Sequence, residues 1–235
     1  MIHLLDRPVW SALSSRHASL AEGGALARRY PTAIVPFAST VDDGRESLAE
    51  LAALVRPGET IYMAQADPIA LPPELSATVT AAAVQMLAER PIESAADARI
   101  RALGSADAAE MVELAILTKP GPFTLHAMDL GEFFGIRMDG RLAAMAGERM
   151  KQVGFTELSG VCVHPDFRGR GLARLLSLFV AGHIAGRGET AYLHVYADNR
   201  AAIRLYEQIG FRSRTEMNIA VVCNPVRPLD RAAPD

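Results

Sequence analysis

The sequence predicts a mixed α/β fold: a mostly antiparallel sheet with helices packed on it, preceded by a smaller α/β half. Three observations carry this expectation. Apolar stripes at helical spacing alternate with short β-branched runs along most of the 235 residues. Asp139-Gly140, a dipeptide suited to a tight hairpin turn, separates two apolar runs. A turn at Gly169-Arg170-Gly171 joins a strand-like run to an amphipathic stretch. With 50% hydrophobic and 22% charged residues the chain can bury a core, which excludes a disordered or fibrous protein.

Residues 1–95 alternate between the two patterns. Leu13, His17 and Leu20 form a helical stripe up to the Gly23-Gly24 break, and residues 32–38 read as a strand that Pro36 confines to a sheet edge. Leu48, Leu51, Ala52 and Val55 mark a second helix that ends before Pro57-Gly58, and a short strand follows at 60–63. Residues 78–87 are apolar and β-branched enough for a strand, although their alanines leave a helix open. No motif in this half carries chemistry. The polar, alanine-rich stretch from Pro91 sets a boundary between a domain at 1–95 and one at 96–235.

Beyond Ala98 the pattern is more regular. Ile100 and Ala102 alternate as a strand, and Asp107 with Glu110 gives a capping-box-like start to a helix through Met111, Leu114 and Ala115. Lys119-Pro120-Gly121-Pro122 stops it. Residues 132–138 and 141–150 form the hairpin around Asp139-Gly140, and 155–163 supply a third strand. Leu172, Leu175, Leu176, Phe179 and His183 fall at helical spacing, and 192–196 read as a strand. Asp198 or Asn199 caps a helix with the stripe Ala202, Leu205, Tyr206 and Ile209, and Gly210 ends it with Phe211 packing back. Two last strands, around Phe211 and at 219–223, complete the sheet, and the Pro-rich tail after Asn224 is expected to be loose.

Lys and Arg number 24 against 27 Asp and Glu, a net of −3, which is no footprint for nucleic acid or an anionic membrane. The charge is uneven. Eight arginines from Arg168 to Arg214 face only Glu189, Asp198 and Glu207, a local +5 that leaves −8 for the rest. Such a stretch suits a local anion site, or else arginines decorating solvated helix faces. Cys162 and Cys223 are too few for a disulfide scaffold and stand in no metal-ligand spacing. The first residues have no basic region leading into an apolar stretch, and no run reaches the ~18 apolar residues of a membrane span. A cytoplasmic protein is expected.

The stretch with chemical content is Val163-His-Pro-Asp-Phe-Arg168-Gly169-Arg170-Gly171-Leu172-Ala173, between a strand and a helix. Glycines at a helix start leave backbone N–H groups bare, and with the helix dipole they cradle a pyrophosphate while Arg168 and Arg170 supply counter-charge. The run lacks the third glycine of a dinucleotide fingerprint and the Gly-Lys-Ser/Thr of a Walker loop.

Here the sequence resembles the GNAT (GCN5-related) N-acetyltransferases. Their acetyl-CoA signature is Arg/Gln-x-x-Gly-x-Gly/Ala, matched by Arg168-x-x-Gly171-x-Ala173. Downstream, Asn199-Arg-Ala-Ala-Ile-Arg-Leu-Tyr206-Glu-Gln-Ile-Gly210-Phe211 is similar to the family's Asn-x-x-Ala-x-x-Leu-Tyr-x-x-x-Gly-Phe segment. The clear resemblance covers about Ala98 to Cys223. The preceding ~95 residues look like the degenerate first half of the FR47-like, glycine-N-acyltransferase-type branch, packed beside a catalytic half. The resemblance implies a GNAT fold with a V-shaped split between two central parallel strands, ending at Val163 and Tyr196. It implies that the backbone around Cys162 and Val163 meets the pantetheine arm and acetyl carbonyl, and that Arg168, Gly169, Arg170, Gly171, Leu172 and Ala173 hold the pyrophosphate. Asn199 would bond the arm, and Tyr206 would protonate the leaving thiolate. Acetyl-CoA would be the acyl donor, with no metal required.

Residue pattern alone makes Tyr206 a core aromatic, and the motif match gives it the catalytic role instead. Glu157 resembles the general base of histone-acetyltransferase-like members, and alternation sets it on one face with Ser159, Val161 and Val163. The plain alternative is a solvated strand-end carboxylate. Glu148, on the neighbouring strand, competes for the base role or could hold a substrate ammonium. His126 and Phe133 follow the loop that often forms the acceptor wall in the family. Cys162 lies in the apolar run Gly160-Val161-Cys162-Val163 and reads as a buried thiol, not a nucleophile. His194 stands on a strand beside the expected cleft and reads as a satisfied core histidine.

The expected activity is transfer of an acetyl group from acetyl-CoA to a primary amine by direct attack in a ternary complex. The alternative is a CoA or acyl-CoA sensor of the same fold without turnover. The motifs leave the acceptor open among glycine-like amino acids, polyamines, aminoglycosides and protein N-termini.

Overall fold

The computed structural model describes residues 3–226. Pro8, at the first helical position where its missing N–H costs nothing, opens α1 (Pro8–Leu13), and Val9, Ala12 and Leu13 turn to the core. The helix expected to reach Leu20 stops at Leu13. His17 turns inward to bond the Tyr30 hydroxyl through Nδ1 at 2.9 Å, and only a 3-10 turn, Ala18–Leu20, remains of the stripe.

Strands β1 (Glu22–Gly23), β2 (Ala27–Arg29) and β3 (Ala38–Thr40) form a small sheet on which α2 (Arg45–Leu54) packs through Leu51. The strand expected at 32–38 begins only at Ala38. Pro31 and Pro36 remove two ladder donors, and residues 32–34 make a turn instead.

The second sheet holds β4 (Thr60–Gln65), β5 (Ser76–Ala88), β6 (Ile100–Leu103), β7 (Phe133–Met138), β8 (Arg141–Gln152), β9 (Phe155–Val163), β10 (Thr190–Tyr196) and β11 (Phe211–Cys223). Their order is β4-β11-β5-β10-β9-β8-β7-β6, antiparallel throughout except for the β9–β10 pair. The sheet runs across the boundary expected at residue 96, since β4 and β5 of the first half flank β11 of the last. Residues 78–87 are therefore strand, paired on both sides. The two strands expected at the C-terminal end are one, β11, with a register shift between Ser213 and Thr215.

The hairpin turn forms where expected, with Asp139 at φ 52° and Gly140 at φ 75° between Met138 and Arg141. The capping box at Asp107 does not. Asp107 accepts from the Gly104 N–H at 2.9 Å and pairs with Arg137, while Glu110 accepts from the Leu142 N–H, so both carboxylates tie α3 (Ala108–Thr118) to the hairpin rather than capping it.

Helices α4 (Leu172–Gly186) and α5 (Arg200–Gln208) cover one face of the large sheet through Leu176, Val180, Ile184 and Tyr206. On the other face, α1 and residues 30–37 pack around Tyr30, Phe37, Met150 and Tyr192. Each fully buried large apolar side chain contributes about 2 kcal/mol.

Candidate active site

β9 and β10 pair only over Phe155↔Thr190, Thr156↔Ala191 and Glu157↔Tyr192. Beyond Glu157 they separate, β9 staying with β8 and β10 with β5, so the facing edges of residues 158–163 and 193–196 have no strand between them. Peptide groups on these edges are free to pair with an extended ligand. A bulge sharpens the split: Gly147 opposes Ser159 and Met145 opposes Cys162, leaving Ala146 opposite both Gly160 and Val161. Gly160 has φ 62°, and a Cβ there would meet the Phe133 ring at 2.8 Å, so both conformation and space call for glycine.

A cavity of about 230 Å³ occupies the split. β9 lines it with Ser159, Gly160 and Val161, β10 with His194, Val195 and Tyr196, and the end of α3 with Lys119 to Pro122. Asn199 and Tyr206 enter from the α5 side, Arg149 from β8, and Phe37 and Tyr62 from the first half of the chain. The second motif thus meets the split at two positions. Asn199 caps α5, its side-chain oxygen accepting from the Ala202 N–H at 3.1 Å. Tyr206 stands edge-on to Phe211 with centroids 6.0 Å apart and is 9% exposed. Burial, and then Cys162 beside it, push its phenol above its ordinary value, so it holds its proton at neutral pH.

The first motif lies between β9 and α4. Gly169 and Gly171 sit at φ 75° and 72°, in the left-handed region. The first helical backbone bond at this end of α4 runs from the Leu175 N–H to the Gly171 carbonyl, which leaves the preceding N–H groups free. Arg168 and Arg170 are exposed, and among the described residues neither forms an ion pair; Arg170 lies over the Phe167 ring at 5.3 Å, a ring that Arg141 also contacts. Free N–H groups, two left-handed glycines and uncompensated guanidinium groups suit a pyrophosphate. The Leu172 side chain is buried in the core, leaving its backbone for a ligand, and Ala173 is half-buried.

The remaining sequence candidates do not line the cavity. Glu157, at the vertex of the split, is fully buried and does not line the cavity. Its carboxylate accepts from Arg149 Nε at 2.8 Å and Nη2 at 2.7 Å, and from His194 Nδ1 at 2.8 Å. Burial alone would raise it, but Arg149 and His194 outweigh burial and hold the carboxyl below the usual carboxylate range. Glu148 does not line the cavity and is buried against Lys151 at 2.7 Å and Arg187 at 2.6 Å. His126 is exposed, 3.6 Å from Asp129, and Phe133 packs behind Gly160 against Phe123. Neither lines the cavity. Val163 and Cys162 are in the β8 ladder on one edge and open to the split on the other, and burial pushes the Cys162 thiol up to about 11. Glu132, Glu148 and His183 come within metal-ligand distance of one another, but Arg187 and Lys151 already neutralise this cluster.

His194 reaches the cavity, and a network fixes its ring: Gln85 takes a hydrogen bond from Arg214 on its oxygen and donates from Nε2 to His194 Nε2 at 2.9 Å, so Nδ1 carries the hydrogen given to Glu157. Arg149 and Lys119 carry no sequence signal, because an arginine on a strand and a lysine at a helix end read as solvated.

A parallel pair that opens beside a helix with a bare N-terminus is the architecture of the acyl-CoA-dependent transferases, and comparison with known proteins gives the family. A crystal structure of a chain described as a GNAT-family acetyltransferase, from Novosphingobium aromaticivorans, is 42% identical and superimposes with a TM-score of 0.89 over 95% of this chain and 99% of the other. The FR47-like protein family model matches residues 133–219. This chain belongs to the GNAT acetyltransferase family. Among curated relatives, mycothiol acetyltransferase of Mycobacteroides abscessus is 37% identical over 39% of this chain and 29% of its own length. The bS18-alanine N-acetyltransferase of Salmonella typhimurium is 42% identical over 33% of this chain and 52% of its own. The chain therefore spans about a quarter to a half of the curated relatives it matches. Among the described residues no helix is long and apolar enough to cross a membrane.

Proposed function

We propose that this protein transfers an acetyl group from acetyl-CoA to a primary amine, by direct attack within a ternary complex. The observation that carries this reading is that Tyr206 and Asn199 line the cavity in the split, at whose outer end the Arg168–Ala173 turn offers free N–H groups. The pyrophosphate binds that turn, and the pantetheine arm pairs with the open edges of β9 and β10. The amine lone pair attacks the thioester carbon, the bulged backbone at Gly160 and Val161 faces the oxygen that gains charge, and a C–N bond replaces the C–S bond. Tyr206 gives its O–H proton to the departing thiolate.

Deprotonation of the acceptor follows a different route from the one expected. Glu157 is committed to Arg149 and His194 and acts as a positioning residue for both. Arg149 and Lys119 border the cavity and, among the described residues, no carboxylate does, which disfavours a bound ammonium relative to the free amine. The acceptor thus releases its proton to solvent and reacts as the amine.

The test is thiol release from acetyl-CoA across a panel of amines and peptides, beside calorimetric titration with acetyl-CoA. Amine-dependent release supports transfer. Binding without such release replaces this reading with a sensor.

A further inference from the structure

The charge of the cavity wall narrows the acceptor. Among the described residues no Asp or Glu lines the cavity, and the charged members of its wall are Arg149 and Lys119. A polyamine or aminoglycoside, which carries further ammonium groups beside the one that reacts, finds no counter-charge there.

Arg149 also has unspent capacity. Its Nε and Nη2 go to Glu157, whereas Nη1 makes no hydrogen bond among the described residues. That nitrogen faces the Lys119 to Pro122 loop, 4.0 Å from where a Cβ on Gly121 would stand. The side chain is 15% exposed and lines the cavity, so the two N–H donors on Nη1 are largely desolvated. Lys119, held at φ 52° at the end of α3, adds a second cation without an ion-pair partner among the described residues. Part of the wall beside them is apolar: Phe37, on whose ring Arg149 rests at 4.9 Å, with Met150, Ile219 and the Tyr62 ring.

We propose, resting on the transfer reading above, that the acceptor is an α-amino acid with an apolar side chain. Its carboxylate takes Arg149 Nη1 and Lys119, and its side chain lies against Phe37 and Tyr62. A charge-assisted contact of this kind separates the amino acid from a neutral analogue by at least about tenfold.

Leucine and phenylalanine are compared with their amides, their decarboxylated amines and spermidine, by CoA release at saturating acetyl-CoA. The amino acids are expected to exceed every other class by about tenfold or more in kcat/KM, and Lys119→Met to shrink the margin by raising KM for the amino acids more than for the other amines; Arg149→Lys is expected to erase the margin while also loosening the Glu157 pair. Equal rates with the decarboxylated amines, or a preference for spermidine, overturn the inference and leave the transfer reading standing. A preference for the amides overturns it in favour of peptide N-termini. Should no amine release CoA, the transfer reading falls, and calorimetry of leucine against isoamylamine on the CoA-bound protein still decides the carboxylate contact: equal affinity overturns it. Melting curves of both variants separate lost recognition from lost folding.

Discussion

Arg149 grips both oxygens of Glu157 across β8 and β9, at 2.7 and 2.8 Å, at the last rung where β10 still pairs with β9. The pair therefore sits at the hinge of the split and fixes where the two strands part. Removing one partner of a buried ion pair leaves the other uncompensated, which typically costs about 3–5 kcal/mol. Glu157→Gln is expected to lower the melting temperature by roughly 10 °C while any residual activity keeps its pH profile. A variant that melts normally but loses the acidic limb of kcat/KM would return the base role to Glu157.

Tyr206 is the proposed proton donor, and phenylalanine keeps its ring against Phe211. Tyr206→Phe should slow single-turnover acetyl transfer by about 10²–10⁴-fold, with the acetyl-CoA dissociation constant and melting temperature nearly unchanged. Early melting of this variant would make the ring a packing residue first. Single turnover is the required readout, since slow product release hides chemistry in kcat.

Arg170 stands exposed at the start of α4 without a carboxylate partner among the described residues. Arg170→Glu turns an attraction for phosphate into a repulsion and should weaken acetyl-CoA binding by about 2 kcal/mol or more, read by calorimetry. One cofactor equivalent per chain is expected in the same titration, because the first half holds no glycine-rich turn of its own.

His17 gives the fold a pH dependence of its own. Burial, followed by Lys151 and Arg16, lowers its pKa from 6.5 to about 4. Between those values the unfolded chain binds the proton and the folded chain does not. Stability is therefore full above about pH 7 and falls as the pH drops from 6.5 toward 4, by about 3 kcal/mol in all. Glu157, whose folded pKa is depressed, contributes above the ordinary carboxylate range and adds its own loss only below about pH 4.5. Urea titrations between pH 7 and 4.5 check the first window, and His17→Phe should flatten it.

Local chemistry made much of the second half legible. Asp139-Gly140 carries its turn type in two residues, and the runs Arg168–Ala173 and Asn199–Tyr206 each sit on one short segment, so the glycine turn before α4 and the cap of α5 are legible in the sequence alone. What escaped depends on distant pairing. Gln85 and His194 bond across 109 residues of chain, and no local pattern at 78–87 announces that this strand enters between β10 and β11. Simple alternation placed Glu157 on a cleft-facing row, because it does not register that the strands are still paired at Glu157 and open only after it. Phe37 was hidden for another reason: prolines 31 and 36 break the expected strand, and the turn that replaces it delivers the ring to the cavity.

The position of β5 between β10 and β11 also sets a timetable for synthesis. The ribosome releases β5 about a hundred residues before either neighbour, and through that interval both of its edges are bare, a state prone to pairing with other chains. The sheet stays open between β4 and β5 until the last strand is threaded alongside both. A premature stop before Phe211 would therefore leave β4 and β5 with no strand to join them, parting the first-half strand β4 from the rest of the sheet.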